Sequence, residues 1–261
     1  IEWVPERTWL YKKTFTLGDE YRGRRIRLCF EGVDYEARYY LNGDLLGQHR
    51  GMFTPARFEI SERVKYGQEN LLVVAIEPAP QEQAQIGRTS RVQTHKARMN
   101  YWWDFCPRMI HLGIWDDVYL EVTGPVRIED AFVRPRLAED LSRADISISI
   151  ELSAEIRTNV QVETVLRYKE QVVASRRSRH SLPAGVISFN ASLEVDWPKL
   201  WWPNGYGPQT FYLVDVLVAQ ESSDLLEGSL LTAPDQVSDW RQVQVGIRRV
   251  EFVANEPAEN C

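Results

Sequence analysis

The sequence predicts an all-β chain of two sandwich domains, and three observations carry that prediction. Short segments alternate apolar and polar residues at the period of a strand, each ending near Gly, Asn or Asp. No amphipathic stretch of three or more helical turns stands out, so a barrel of alternating strands and helices is excluded. A chain of 261 residues, at about 100 to 150 residues per domain, has room for two cores.

The first strands are read at Leu10 to Leu17, Arg25 to Glu31 and Glu36 to Leu41. Asn42-Gly43 follows, a strong hairpin signal because both residue types accept the positive φ of a two-residue turn. Leu71 to Glu77 is a continuous apolar run, which predicts a strand covered on both faces at its centre. After Pro78 the pattern stops for about forty residues, longer than an ordinary connection, and resumes at Trp115 to Val122. Such a stretch is either functional or disordered, and its density of aromatic rings argues against disorder.

Thr123-Gly124-Pro125 is the predicted boundary, giving domains over 1–124 and 125–250 and a polar tail over 251–261. The second domain carries strand signals at Val126 to Arg134, Ala144 to Leu152, Val160 to Tyr168, Val172 to Arg177, Val186 to Leu193, Thr210 to Val218 and Trp240 to Val250. Seven strands in about 125 residues predict a sandwich of immunoglobulin-like size, without the cysteine pair and buried tryptophan of an antibody domain.

Composition excludes several functions. A net charge of -6 argues against a phosphate-tracking surface, and the short basic run Arg176-Arg177-Ser178-Arg179-His180 reads as a solvated strand end or hairpin. Cys29, Cys106 and Cys261 have neither disulfide-framework nor zinc spacing, and no cofactor or metal is expected. No apolar run approaches the roughly eighteen residues of a membrane span, and the expected compartment is cytoplasmic.

The unpatterned stretch holds the most chemistry. Asn100-Tyr101-Trp102-Trp103-Asp104-Phe105-Cys106-Pro107-Arg108 places large rings beside an acid and a cation, bracketed by Lys96 and His111. Rings next to fixed polar groups suit a flat ligand with one apolar and one hydroxylated face, such as a sugar. The competing reading is a Trp-rich loop capping a sheet. A second tract, Asp196 to Gln209, is rich in Trp, Pro and Gly; it reads as a rigid seal at one end of the second sandwich or a packing surface, rather than a ligand contact.

Gly32-Val33-Asp34-Tyr35-Glu36-Ala37, Leu41-Asn42-Gly43 and Gly47-Gln48-His49-Arg50-Gly51-Met52-Phe53 resemble the jelly-roll sugar-binding domain that opens glycoside hydrolase family 2 enzymes. Lys96, Tyr101 to Arg108, Gly113-Ile114-Trp115 and Trp201-Trp202-Pro203-Asn204-Gly205-Tyr206-Gly207 are similar to the beta-mannosidase branch in particular, and Val245 to Val250 resemble the family's exit toward its catalytic barrel.

The resemblance implies a jelly-roll sandwich, with a first strand expected upstream of Ile1, followed by an immunoglobulin-like sandwich. It also implies a retaining glycosidase whose two catalytic glutamates lie in a barrel beyond this chain. That mechanism needs two carboxyls about 5 Å apart, and none of the 37 acidic residues reads as such a pair. Glu251, Glu256 and Glu259 are expected in a linker. By the same resemblance Trp103 and Asp104 match a pair that helps bind the terminal beta-mannoside at the barrel mouth, with Phe105 where a second tryptophan is common and Cys106 where glycine is common.

Lys96, Arg108 and His49 are further candidate contacts to the sugar. The plainer readings are that Lys96 and Arg108 brace the loop, with Asp104 or Asp34 as partners, and that His49 locks its turn by donating to a carbonyl. Asp34 would cap a turn and Arg248 would anchor the departing chain. The alternatives in function are a family 2 beta-galactosidase or beta-glucuronidase, or an autonomous carbohydrate-binding module.

Overall fold

The strand-period segments fold as strands in the computed structural model, which describes residues 2–81, 93–221 and 229–253. The chain divides into two compact units, Ile1–Val122 and Thr123–Cys261. Among the described residues no helix is long and apolar enough to cross a membrane.

The first unit holds β1 (Trp9–Thr16), β2 (Arg25–Phe30), β3 (Val33–Asp34), β4 (Glu36–Leu41), β5 (Asp44–Arg50), β6 (Ala56–Glu59), β7 (Glu69–Ile76), β8 (Gly113–Ile114) and β9 (Val118–Thr123). A four-stranded sheet in the order β1-β7-β4-β5 packs over a three-stranded sheet β6-β2-β9, and β3-β8 forms a short pair beside them. The core between them comes from alternate residues: Ile26, Leu28 and Phe30 of β2, Ala37, Tyr39 and Leu41 of β4, and Leu72, Val74 and Ile76 of β7.

At the β4-β5 turn Asn42 and Gly43 adopt φ of 55° and 98°, the geometry of a tight two-residue hairpin. Asn42 is also pinned sideways, its Oδ1 accepting from the Leu71 amide at 3.0 Å. Two expectations need correction. β7 is covered on both faces only at its end, at Val74, Ala75 and Ile76, while Leu71 is exposed, because the outer face of this sheet meets solvent for most of its length. His49 lies on β5 opposite Ala37 and not in a turn; Gly47 lets the strand continue, since a Cβ there would stand 2.7 Å from the Phe58 ring.

The second unit is a seven-stranded sandwich. Its strands are β10 (Val126–Leu137), β11 (Arg143–Ala154), β12 (Thr158–Tyr168), β13 (Gln171–Leu182), β14 (Gly185–Asp196), β15 (Tyr212–Gln220) and β16 (Asp239–Val245), arranged as sheets β10-β11-β14 and β13-β12-β15-β16. β11 shows the cause most plainly: Ile146, Ile148, Ile150 and Leu152 point inward and are wholly buried, while the residues between them face out. They meet Val160, Val162, Val214, Val216 and Val218 of the facing sheet.

Two buried carboxylates order the outer face of the four-stranded sheet. Asp215, fully buried, accepts from Arg167 Nε at 2.6 Å, Arg167 Nη2 at 3.1 Å, Trp240 Nε1 at 2.9 Å and Gln242 Nε2 at 2.8 Å. Glu163 accepts from Arg177 Nε at 3.1 Å, the Ser229 hydroxyl at 3.0 Å and the Leu230 amide at 2.6 Å, which fastens the 3-10 turn Leu230–Thr232 to the sheet. A buried carboxylate is tolerated because donors replace its hydration.

The basic run, read as a solvated strand end or hairpin, lies in β13, the second strand of the β12-β13 hairpin and an edge of its sheet, with Arg176, Arg177 and Arg179 exposed. Its His180 stacks on Phe189 of β14 at 4.0 Å, linking the edges of the two sheets. Glu256, Glu259 and Cys261 lie outside the described residues.

Asp215→Ala should destabilise the second unit by about 3 kcal/mol, since it strands the Arg167 cation, and Asp215→Asn by clearly less; urea unfolding measures both. Desolvation by burial lowers the His180 pKa below its ordinary 6.5. The unfolded chain therefore takes up this proton first as pH falls, and stability should drop through the window below 6.5. Melting temperatures of the parent and His180→Gln, compared from about pH 7.5 to about pH 5, should show the shallower pH slope in the variant.

Candidate functional site

The long loop of the first unit is closed at its neck and projects a small turn. The 3-10 turn Met99–Tyr101 buries Tyr101 against Ala79 and Ile110, and the Tyr101 hydroxyl donates to the Pro80 carbonyl at 2.9 Å. Met109 donates its amide to the Asn100 carbonyl at 3.0 Å, so the stretch between them leaves and returns at one place.

Inside that stretch Trp103 and Cys106 exchange amide-to-carbonyl hydrogen bonds of 3.3 and 3.2 Å, which leaves Asp104 and Phe105 at the tip. Phe105 is 71% exposed and Asp104 is exposed, while Trp103 is half-buried with its ring edge-on to Phe105 at 6.2 Å. Asp104 makes no ion pair among the described residues. The strained backbone of the loop is at Trp102, with φ 154°, while Cys106, which stands where glycine is common in the family, has no positive φ.

Beneath the loop sits a buried charge cluster. Lys96 Nζ pairs with Asp34 Oδ2 and also donates to the His111 carbonyl at 2.7 Å, while His111 Nδ1 lies 2.7 Å from the same Asp34 oxygen. The side chains of Lys96 and Asp34 are 0% and 2% exposed. Burial pulls the Lys96 pKa below its ordinary value, against the opposing pull of Asp34.

Asp34 sits on β3 opposite Gly113 of β8. One carboxylate thus holds Lys96 and His111, on either side of the stretch that carries the turn. Asp34, expected to cap a turn, caps none among the described residues: Lys96 and His111 both meet its Oδ2, and its buried Oδ1 has no hydrogen-bond partner there. Lys96 has Asp34 as its partner and not Asp104.

Of the other candidates, Arg108 pairs with Glu6, its Nη1 at 3.9 Å from Oε1. His49 faces the Thr54 hydroxyl at 3.1 Å, not a carbonyl, and burial lowers its pKa. Trp103, Asp104 and Arg108 therefore share one loop, Lys96 lies under it, and His49 belongs to a separate strand. The pairing of His111 with Asp34, 77 positions apart, carries no signal in local sequence.

In the second unit the Trp-rich tract is tied to the chain just after β16. The Trp201 amide donates to the Ile247 carbonyl at 2.9 Å, and the Trp202 amide to the Pro208 carbonyl at 3.1 Å. Gly246 admits the Trp201 side chain, which a Cβ there would meet at 2.9 Å. Arg248 lies over the Trp201 ring at 4.5 Å, a cation-π contact. Leu137, Leu141, Trp202, Tyr206 and Arg248 line an apolar cleft of about 270 Å³ beside them.

Two family models match. Residues 1–116 match the glycosyl hydrolase 2 galactose-binding domain-like model, and residues 126–229 match the glycosyl hydrolases family 2 model. Among curated relatives, beta-mannosidase B of Emericella nidulans is 29% identical over 233 residues, covering 84% of this chain and 27% of the relative. Beta-mannosidase B of Aspergillus terreus is 26% identical over 264 residues, covering 96% of this chain and 29% of the relative.

The chain thus spans less than a third of the length of these curated relatives. Among solved structures, a beta-D-mannosidase from Dictyoglomus thermophilum is 28% identical with a TM-score of 0.77, over 96% of this chain and 30% of that one. A putative beta-galactosidase from Bacteroides fragilis, 23% identical with a TM-score of 0.73 over 95% of this chain and 34% of that one, shares the fold. The chain carries, in this order, the galactose-binding-like and immunoglobulin-like domains of glycosyl hydrolase family 2.

Proposed function

We propose that this chain is the non-catalytic N-terminal part of a retaining beta-mannosidase, and that its Trp103-Asp104 turn positions the terminal non-reducing beta-D-mannose for a catalytic barrel that follows. The observation that carries this reading is the turn itself. A carboxylate without an ion-pair partner stands at the tip of a hydrogen-bonded turn, beside the Trp103 and Phe105 rings. Asp104 supplies acceptors for two sugar hydroxyls, and a ring beside it takes the C-H face. Of the four relatives reported above three are named beta-mannosidases and one a putative beta-galactosidase, a balance that favours the mannoside.

The remaining candidates have supporting parts. Lys96 acts through Asp34 and His111 by holding together the two flanks of the turn-bearing stretch, and Arg108 steadies it through Glu6. The chemistry of bond cleavage lies elsewhere in the proposed enzyme, on two carboxyls about 5 Å apart.

Hydrolysis of p-nitrophenyl beta-D-mannoside by the full gene product tests the reading, with the galactoside and glucuronide run beside it. Mannoside should be turned over preferentially. Asp104→Ala should lower kcat/KM about a hundredfold, or about 2.7 kcal/mol of transition-state stabilisation, as expected for two hydrogen bonds to a charged acceptor. Preference for galactoside or glucuronide, or an unchanged Asp104→Ala enzyme, would sink the proposal.

Lys96→Met should act differently. It leaves Asp34 buried without its cation and should cost about 3 kcal/mol of stability in the first unit. Its kcat/KM for mannoside should fall as the loop loosens, and protease cleavage within residues 97–110 should accelerate, which Asp104→Ala should not cause.

A further inference from the structure

A second group of aromatic side chains in the first unit is built like a sugar platform and lies outside the Trp103-Asp104 turn. Trp115 is 51% exposed and Phe53 is 56% exposed. Large rings ordinarily gain by burial, so two fixed rings left half in solvent call for an explanation.

Trp115 is held in place from three sides. Its amide donates to the Gly32 carbonyl at 3.1 Å, and its indole Nε1 donates to the Met52 carbonyl at 2.9 Å. Its ring lies against Gly32, where a Cβ would stand 2.4 Å from Cε2 and 2.7 Å from Cζ2. Only glycine admits the ring there, so this backbone fixes the indole as a floor. Phe53 stands edge-on to it as a wall, with centroids 6.1 Å apart and planes at 71°.

The polar component is His95. Its ring lies edge-on to Phe53 at 5.2 Å, and no hydrogen bond to its nitrogens is found among the described residues. His95 is the neighbour of Lys96, so the Asp34 cluster that braces the loop also holds this histidine's backbone.

We propose that Trp115, Phe53 and His95 form a hexopyranose-binding platform. The sugar's C-H face would lie on Trp115, with its edge against Phe53 and a hydroxyl hydrogen-bonded to His95. A floor and wall at a steep angle suit a ring with an apolar face and a polar rim. The platform is independent of the assignment of Asp104, and the ligand class is a neutral oligosaccharide.

The test uses this 261-residue chain with beta-1,4-mannotriose, cellotriose and galactobiose as probes, followed by tryptophan fluorescence and by saturation-transfer NMR. At least one probe should bind saturably in the millimolar range. Phe53→Ala and His95→Ala, both at exposed side chains and checked for folding by circular dichroism, should weaken it about tenfold or more, the loss of one good contact. Asp104→Ala should leave it unchanged, so a failure of the mannosidase reading stays separate from a failure here. Absence of saturable binding by any probe overturns the platform. Affinity that survives Phe53→Ala and His95→Ala does so too, as does Phe53-dependent self-association without sugar binding, which would assign the rings to a protein contact.

Discussion

The first unit depends on one carboxylate. Asp34 sits on a two-residue strand, and its Oδ2 meets both the Lys96 ammonium and the His111 ring. Lys96 and His111 lie on either side of the Tyr101 to Arg108 stretch of the long loop, so a single buried group ties the two flanks of that stretch together. Charges this deeply buried carry a large desolvation cost, offset here by the pairing of Lys96 with Asp34 and its bond to the His111 carbonyl. The neck formed by Tyr101, Ala79 and Ile110 adds apolar contact, and the turn at Trp103 to Cys106 is carried on top of both.

The second unit solves the same problem differently. Its sandwich core is wholly apolar, and its buried carboxylates lie on the outer face of one sheet. Asp215 collects Arg167, Trp240 and Gln242 from neighbouring strands, and Glu163 collects Arg177 and the turn at Ser229. Each acts as a fastener between elements that apolar burial alone would leave free to slide, because hydrogen bonds to a charged acceptor fix direction as well as proximity. At one end the Trp201 tract is fixed by close backbone approach at Gly246 and by Arg248 stacked on the indole. The Trp201 amide is tied to the Ile247 carbonyl, while Trp197, Trp202 and Tyr206 of the same tract, expected to be buried, stay 78%, 42% and 81% exposed.

Strands were legible because their cause is local. The alternation in Ile146 to Leu152 and the Asn42-Gly43 turn each follow from residues a few positions apart. Errors arose where a residue's environment came from elsewhere. Leu71 sits in an apolar run yet faces solvent, because the outer side of its sheet has no cover over most of the strand. His49 was read in a turn but continues a strand, since Gly47 admits the Phe58 ring and the pairing with Ala37 persists.

By itself the sequence determined the all-β class, the hairpin, the position of the unpatterned loop and the concentration of rings and charge within it. These depend on period, turn chemistry and composition, which are properties of neighbouring residues. Only the tertiary structure decided which charges meet. Asp34 and His111 are 77 positions apart, and Glu163 and Leu230 are 67 apart. Such pairs are selected by the shared cost of leaving either member dry and alone, a cost that exists only once the sheets have closed around them.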